Sequence, residues 1–593
     1  MLLFEFHDPN DKQQPYLFRE PLEIITAMTV GEVRPALRRV QEAVGRGFYA
    51  AGYLAYEAAP AFDPAYQVVT SEGRPLLWFG IYRQPERGWP TDSPEIVQED
   101  APAHMAQKGT GYTISDWRPD ISVGQYQSGI AAIKEAIARG DTYQVNYTLR
   151  MRARFSGDDL AFYKRLSGLQ RGSYAAYLDT GRYRILSASP ELFFRWDREN
   201  MTITTKPMKG TAKRGRWVQE DLARRDELAA SEKNQAENLM IVDLLRNDLG
   251  RIAEIGSVQV DKLFEIERYP TVYQMTSTIT ARTRPEVTLE DVFAALFPCG
   301  SITGAPKIST MEVISELEQT PRHVYCGTIG YLTPAGQAVF NIPIRTVLID
   351  TETGEAEYGA GGGVTWDSTS EDEYAEILTK AALLTAEHEP FDLLETIRLE
   401  DGAYTLLEHH LERLAQSADY FGISFDRQAV LDALAEHAGQ VPRGLYRVRL
   451  LLTQSGEIQV ESYPFQPMPD TVQKVALATE PINSNSRFLY HKTTNRSLYE
   501  KARGSRTDIM DVLLINEKGE LTEFTIGNLV VELDGVNYTP PIESGLLPGT
   551  FRAELLAQDQ IHERKLTVKD LEQASRIWLI NSLREWVPVS VEV

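Results

Sequence analysis

The order of hydrophobic patterns predicts an α/β (α+β) chain of two domains, and three features carry that expectation. From Tyr126 onward, amphipathic helical stretches alternate with short strand-like runs; the composition is ordinary globular, 42% hydrophobic and 24% charged; and after residue 390 the alternation restarts as a separate series. The 593 residues are enough to bury large cores without covalent staples.

The first ~115 residues mix apolar runs (Gly52 to Tyr56, Leu76 to Tyr82) with proline-rich turns. Gln84 to Gly111 holds four prolines and few large apolar residues, which reads as a long surface connection. Then follow a helix over Tyr126 to Ala138, a strand around Tyr143 to Arg150, strands at Tyr183 to Ser187 and Met201 to Thr205, and a helix from Ser231 to Leu249. Pro207-Met208-Lys209-Gly210-Thr211 is bounded by Pro and Gly and reads as a turn. A helix begins after Ser370, whose hydroxyl with Glu373 spells a capping box, and runs through Leu384. Glu387 to Pro390 marks the boundary. Beyond Phe391 come a hairpin at Asp401-Gly402, a helix Leu406 to Tyr420, strands Tyr446 to Thr453 and Ile458 to Tyr463, and a hairpin turning at Lys518-Gly519.

Charge and cysteine content remove several classes of function. Lys+Arg number 61 against 84 Asp+Glu, a net charge of −23, and no basic run offsets that field, so nucleic acid is not expected as a partner. Cys299 and Cys326 are too isolated for a disulfide framework or a CxxC metal site and fit a reducing cytoplasm. The start lacks a signal-peptide pattern and no apolar run approaches a membrane span, so the expectation is a cytoplasmic protein with no membrane partner.

Two helices carry carboxylates in unusual settings. Glu237 precedes Met240, Ile241 and Leu244 on one apolar face, where an unpaired carboxylate is costly, so a metal or cation is one reading and a helix-edge Glu that reaches solvent or pairs with Arg246 is the other. With Glu373 spent on capping, Glu376 is the spare carboxylate of its helix, and a surface pair with Lys380 is its ordinary reading. The preceding Gly359-Ala360-Gly361-Gly362-Gly363 run shifts the balance, because backbone amides at Gly361 and Gly362 can approach an anionic ligand closely. It is no dinucleotide fingerprint, since Val364 stands where the third glycine belongs. A turn lysine such as Lys209 is by itself more often a solvated charge than a catalyst.

The stretch from about Gly124 to Leu384 resembles the chorismate-utilising enzymes. The motifs are Tyr143-Gln144-Val145-Asn146, Ser189-Pro190-Glu191, Pro207 to Thr211, Ala236 to Met240, Arg246 to Gly250, Gly300 to Lys307, Tyr325-Cys326-Gly327 and Glu376 to Lys380, with Gly45 to Glu57 adding the N-terminal part. The resemblance implies a two-subdomain fold over residues 1–385 with a chorismate-binding core from about 115. Gln144 stands where isochorismate synthases carry a water-activating lysine, and Lys209 stands where anthranilate synthases carry a small residue; a PxKGT segment marks the aminodeoxychorismate synthases. It further implies that Lys209 is a nucleophile, that Glu191 is the general acid, that Glu237 and Glu376 hold Mg²⁺, and that Arg345, Tyr331 and Lys380 grip a substrate carboxylate. No amidotransferase nucleophile region is evident, so ammonia would come from a separate glutamine amidotransferase subunit or from solution.

Within a second domain of residues 386–593, Phe391 to Val593 resemble fold-type IV pyridoxal-phosphate enzymes through Glu395 to Arg398, His410 to Leu414, Lys492 to Arg496, Leu521 to Asn528 and Gly545 to Arg552. In that resemblance Lys492 is the Schiff-base lysine, Glu523 pairs with the pyridine nitrogen, and Arg413, Ile526, Gly527 and Thr550 form the phosphate cup. Phe524 and Ile526 depart from the small polar residues usual after the Glu. Glu408-His409-His410 lacks a third ligand for a metal and reads as helix packing. Such enzymes commonly pair, which makes this domain the candidate homodimer interface. The two domains in series imply synthesis of 4-aminobenzoate for folate: amination of chorismate to 4-amino-4-deoxychorismate, then elimination of pyruvate. Rival readings make the second domain a branched-chain or D-amino-acid aminotransferase, or make one domain a binding or regulatory module.

Overall fold

A computed structural model describes residues 1–6, 14–90, 111–170, 172–385, 391–468 and 471–592. Most of the Gln84 to Gly111 connection and the Glu387 to Pro390 boundary lie outside the described residues. The chain forms two compact units: residues 1–213 with 225–388, and residues 389–593 with Arg214–Arg224.

The first unit is built on two large antiparallel sheets. One is eleven-stranded, and its centre places Gln144–Gly157 beside Glu355–Val364, Thr346–Asp350 and Tyr183–Ser189. The other is ten-stranded, with Met208–Lys213, Val272–Arg282, Thr202–Lys206, Leu192–Asp197 and Gln337–Asn341 in that spatial order. Strand alternation sends one set of side chains inward from each sheet, and Phe4, Phe18, Tyr53, Ile185, Ile329 and Tyr331 meet there in a shared core. Helices cover the outer faces. Val30–Gly45, Glu232–Gly250 and Leu289–Leu296 bury Leu37, Ile241 and Phe293 against the ten-stranded sheet, while Val123–Arg139 and Ser370–Ala381 bury Ile133 and Ile377 against the other. The chain crosses between the sheets at Pro190-Glu191, between the strands Tyr183–Ser189 and Leu192–Asp197.

Two local expectations are corrected. Pro207 to Thr211 is not a turn: Met208–Lys213 is a strand paired with Val272–Arg282, its register shifting between Met208 and Thr211, with Gly210 at φ +95°. Nor does Ser370 cap its helix. Thr369 is the N-cap, its hydroxyl accepting from the Asp372 amide at 3.2 Å, and this releases Glu373 from capping.

The second unit has a four-stranded sheet, in which Leu393–Glu400 pairs with Leu445–Leu452, covered by the helices Leu407–Phe421 and Arg427–Gln440. Its eight-stranded sheet closes on itself where Leu521–Phe524 pairs with Gly527–Leu533. Trp217 packs with Leu489, Tyr490 and Leu514 of the same unit, and the Arg216 guanidinium donates to the Ser484 carbonyl and the Tyr490 hydroxyl. No helix among the described residues is long and apolar enough to cross a membrane.

Candidate active sites

The first unit holds a cavity of about 270 Å³. Glu191 enters it from the sheet crossing. Its carboxyl is only 3% exposed and accepts from the Ser301 hydroxyl at 2.7 Å. Burial pushes its pKa up to about 7, against the pull of Ser301 and the charge of Lys209. Lys209 comes from the irregular edge strand. A register shift beside a left-handed glycine re-aims a side chain, and here Lys209 lines the cavity. Burial depresses its pKa, while Glu237 works the other way and Lys380 adds to the depression.

Glu237, Glu373 and Glu376 also line the cavity. Arg246 is not the partner of Glu237; it pairs with Asp243 at 2.8 Å. Burial raises Glu237, which Lys209 and Lys233 partly offset. Burial also opposes ionisation of Glu376, but the charge and hydrogen bond of Lys380, at 2.7 Å, prevail and hold its pKa below the usual value. Lys380 in turn donates to the Gly361 carbonyl at 2.7 Å. Glu373, set aside in the sequence as a cap, accepts from the Ser368 hydroxyl at 2.6 Å, and its raised pKa has burial as the main cause.

The glycine run forms one wall as part of the strand Glu355–Val364. A Cβ on Gly361 would lie 2.3 Å from the Tyr147 carbonyl, so glycine is needed there for strand pairing. At Gly363 a Cβ would fall 2.0 Å from Gln144 Nε2 and 2.8 Å from Lys209 Nζ, so its absence makes room for both side chains. Among the described residues neither amide atom of Gln144 finds a hydrogen-bond partner, although the side chain is buried. Arg345 lines the cavity from a left-handed backbone position, φ +52°, a conformation that costs an arginine roughly 1–2 kcal/mol. Tyr331 does not join this set. It is packed against Phe4, Phe6 and Tyr16 between the sheets, and the tyrosines on the cavity are Tyr325 and Tyr358.

No group of three or more His, Cys, Asp or Glu among the described residues is arranged to hold a metal by itself. The chemistry of the donor set nonetheless fits Mg²⁺, which takes one or two protein carboxylates and completes its shell with water and ligand oxygens. Glu237 and Glu376 face one cavity and act electrostatically on each other.

The second unit has a cavity of about 700 Å³ lined by Lys492, Glu523, Arg413, Tyr499, Asn528 and Thr550. Burial brings the Lys492 pKa down to about 8, helped by Arg413. Glu523 is 3% exposed, accepts from the Tyr499 hydroxyl at 2.8 Å and from Asn528 at 3.3 Å, and burial pushes it up to about 8. A buried carboxyl with this pKa is set to meet a cationic nitrogen, which fits a protonated pyridine ring. Arg413 is locked to Glu395 at 2.5 Å, and His410 Nδ1 bonds the same carboxylate at 2.6 Å. Burial opposes ionisation of Glu395, but Arg413 overrides it and holds the pKa at about 2. Thr550 opens the helix Thr550–Ala557, its hydroxyl 3.3 Å from His410 Nε2. Ile526 and Gly527 border the cavity, but the Ile526 amide already donates to Asp511 at 3.1 Å, so that donor is not free for a phosphate. Tyr499 and Asn528 escaped the sequence reading. Asn528 could have been found, because a two-residue hairpin turn sets it directly opposite Glu523.

Comparison with known proteins agrees with this division. Residues 7–386 match the family model of the chorismate binding enzymes and residues 392–591 that of amino-transferase class IV. The chain belongs to the chorismate binding enzyme family. Among its relatives, aminodeoxychorismate synthase component 1 of Escherichia coli is 43% identical over 266 residues, covering 45% of this chain and 58% of that one. Aminodeoxychorismate synthase of Streptomyces griseus is 46% identical over 259 residues, covering 44% of this chain and 35% of that one. The crystal structure of anthranilate synthase component I from Streptococcus pneumoniae superposes with a TM-score of 0.54 at 28% identity, covering 64% of this chain and 94% of that one. This chain therefore spans little more than half of the first curated relative and about a third of the second.

Proposed function

We propose that the chain makes 4-aminobenzoate from chorismate and ammonia in two steps, one in each unit. The observation that carries the first step is a buried lysine of depressed pKa, Lys209, sharing a cavity with a carboxyl poised near neutrality, Glu191. Neutral Lys209 attacks ring C2 of chorismate as the double bond shifts and the 4-hydroxyl departs, and Glu191 gives that hydroxyl its proton, so water leaves. Ammonia then adds at C4 and the Lys209 amine is expelled from C2, restoring the ring pattern. Arg345 supplies a planar fork for one substrate carboxylate. Glu237 and Glu376 would hold Mg²⁺, which supplies a second carboxylate anchor.

For the second unit, the residues fit pyridoxal phosphate: Lys492 as its covalent anchor, Glu523 at the ring nitrogen, and Arg413 and Thr550 toward the phosphate. Bound there, the cofactor supplies an electron sink for the carbon that carries the substrate amine. Lys492, with its pKa near 8, takes the proton from that carbon. Loss of pyruvate then leaves an aromatic ring. Ammonia would reach the first site from a separate amidotransferase subunit.

Incubating the protein with chorismate, Mg²⁺, ammonium and pyridoxal phosphate, with products identified by mass, tests both steps. We expect 4-aminobenzoate and pyruvate. Anthranilate would overturn the role of Lys209, and accumulated aminodeoxychorismate would overturn the lyase step. Lys209→Ala should lower amination by at least about 100-fold, and ammonium-dependent amination that survives it would refute the covalent route.

A further inference from the structure

The second cavity carries arginines that cofactor anchoring does not account for, and two of them rest on aromatic rings, Arg447 5.1 Å over Tyr463 and Arg584 5.4 Å over Phe465. Along the strand Leu445–Leu452, Val448, Leu450 and Leu452 point into the core, and the opposite alternation sends Arg447 and Arg449 to the cavity face. Register sets Arg449 beside Thr396 and Leu451 beside Leu394, and Thr396 and Leu394 line the same cavity. A third guanidinium, Arg584, follows the strand Arg576–Asn581 and reaches the cavity with its Nε buried and, among the described residues, lacking a hydrogen-bond partner.

Of the other arginines on the cavity, Arg413 is engaged with Glu395 and Arg496 with the Thr525 carbonyl at 2.6 Å, while Arg503 lies beside Asp511 and acts on its charge. Among the described residues no carboxylate forms an ion pair with Arg447, Arg449 or Arg584. Arg447 is close enough for its charge to act unfavourably on Arg584. Asp511, the acid that acts on Arg584, already accepts hydrogen bonds from Thr525 and the Ile526 amide. Solvent screens the exposed Arg447, and Glu461 stands across the strand pair from Arg449, so the buried Arg584 Nε is the group that most lacks a counter-charge, and the guanidinium fork suits carboxylates.

We infer that Arg447, Arg449 and Arg584 form an anion-binding wall that selects an amine substrate bearing two carboxylates. This rests on the reading of this cavity as a pyridoxal-phosphate site, and it deepens that reading by giving a chemical reason for a dicarboxylate over a branched-chain or other monocarboxylate amino acid.

The test titrates the cofactor-loaded protein with succinate and, as a one-carboxylate control, butyrate, reading the absorption of the bound cofactor. Succinate should bind at least about tenfold more tightly than butyrate. Arg447→Gln and Arg449→Gln should each erase most of that preference while cofactor loading stays normal, and Arg449→Lys should keep part of it. Equal affinities in the wild type, or a preference untouched in both Gln variants, would overturn the wall. The lyase reading fails separately. If succinate is preferred but aminodeoxychorismate yields no pyruvate, the wall stands and the reaction does not. If pyruvate forms with the same KM in wild type and both Gln variants, the reaction stands and the wall does not.

Discussion

At the residue scale, the decisive groups are those whose ionisation burial has moved. Glu191 has a folded-state pKa of about 7 against an ordinary 4.5. Its proton is held more tightly in the folded protein, so its contribution to stability is fully present below about pH 4.5 and is lost as pH rises through 7. The difference of 2.5 units, 7 minus 4.5, corresponds to roughly 3 kcal/mol. Glu191→Gln cannot ionise. Chemical denaturation should therefore find it more stable than the wild type at pH 8 and level with it near pH 4, while amination falls about 100-fold or more; equal stability at pH 8 would mean the carboxyl is not desolvated. That Lys209, Glu191, Glu237 and Glu376 would come to one cavity was legible from the order of the motifs that carry them. Tyr331 misled because order alone does not say which face of a strand a tyrosine occupies, and Glu373 was missed because its spacing from Ser370 satisfied a capping rule equally well.

At the element scale, sequence rules located the segments and erred on how some of them end. Thr369-Asp372 and Ser370-Glu373 both satisfy a hydroxyl-to-acid spacing, and only packing chose between them. Thr369→Ala should cost about 1 kcal/mol in thermal or denaturant unfolding and Ser370→Ala within about 0.5 kcal/mol of nothing. Pro207 to Thr211 has the sequence of a turn, but Pro and left-handed Gly mark irregular edge strands equally well. The glycine wall separates two effects. Gly361→Ala drives a methyl into the Tyr147 carbonyl and should destabilise the unit by about 1–3 kcal/mol. Gly362→Ala meets the carboxylate ends of Glu373, at 2.8 Å, and of Glu376, at 3.7 Å, and no backbone; its Tm should stay close to wild type while KM for chorismate rises. The reverse pattern would show that the wall serves packing at 362 and binding at 361.

At the scale of the whole molecule, two domains with separate cores were legible from the restart of alternation after residue 390. The assignment of Arg214–Arg224 to the second unit was not, because it depends on contacts with residues hundreds of positions away and no local pattern encodes them. A polypeptide of residues 389–593 alone would lack Trp217 and the Arg216 hydrogen bonds to Ser484 and Tyr490. It should melt lower than the same unit in the intact chain, and a peptide spanning 210–226 should raise its Tm; no response to the peptide would show that the segment contributes nothing to that core. The same feature bears on inheritance. A recombination event that exchanged the 3′ end of the gene for another would carry away most of the second unit and leave one of its pieces encoded far upstream, so a successful exchange would require compensating change in codons that the crossover never touched.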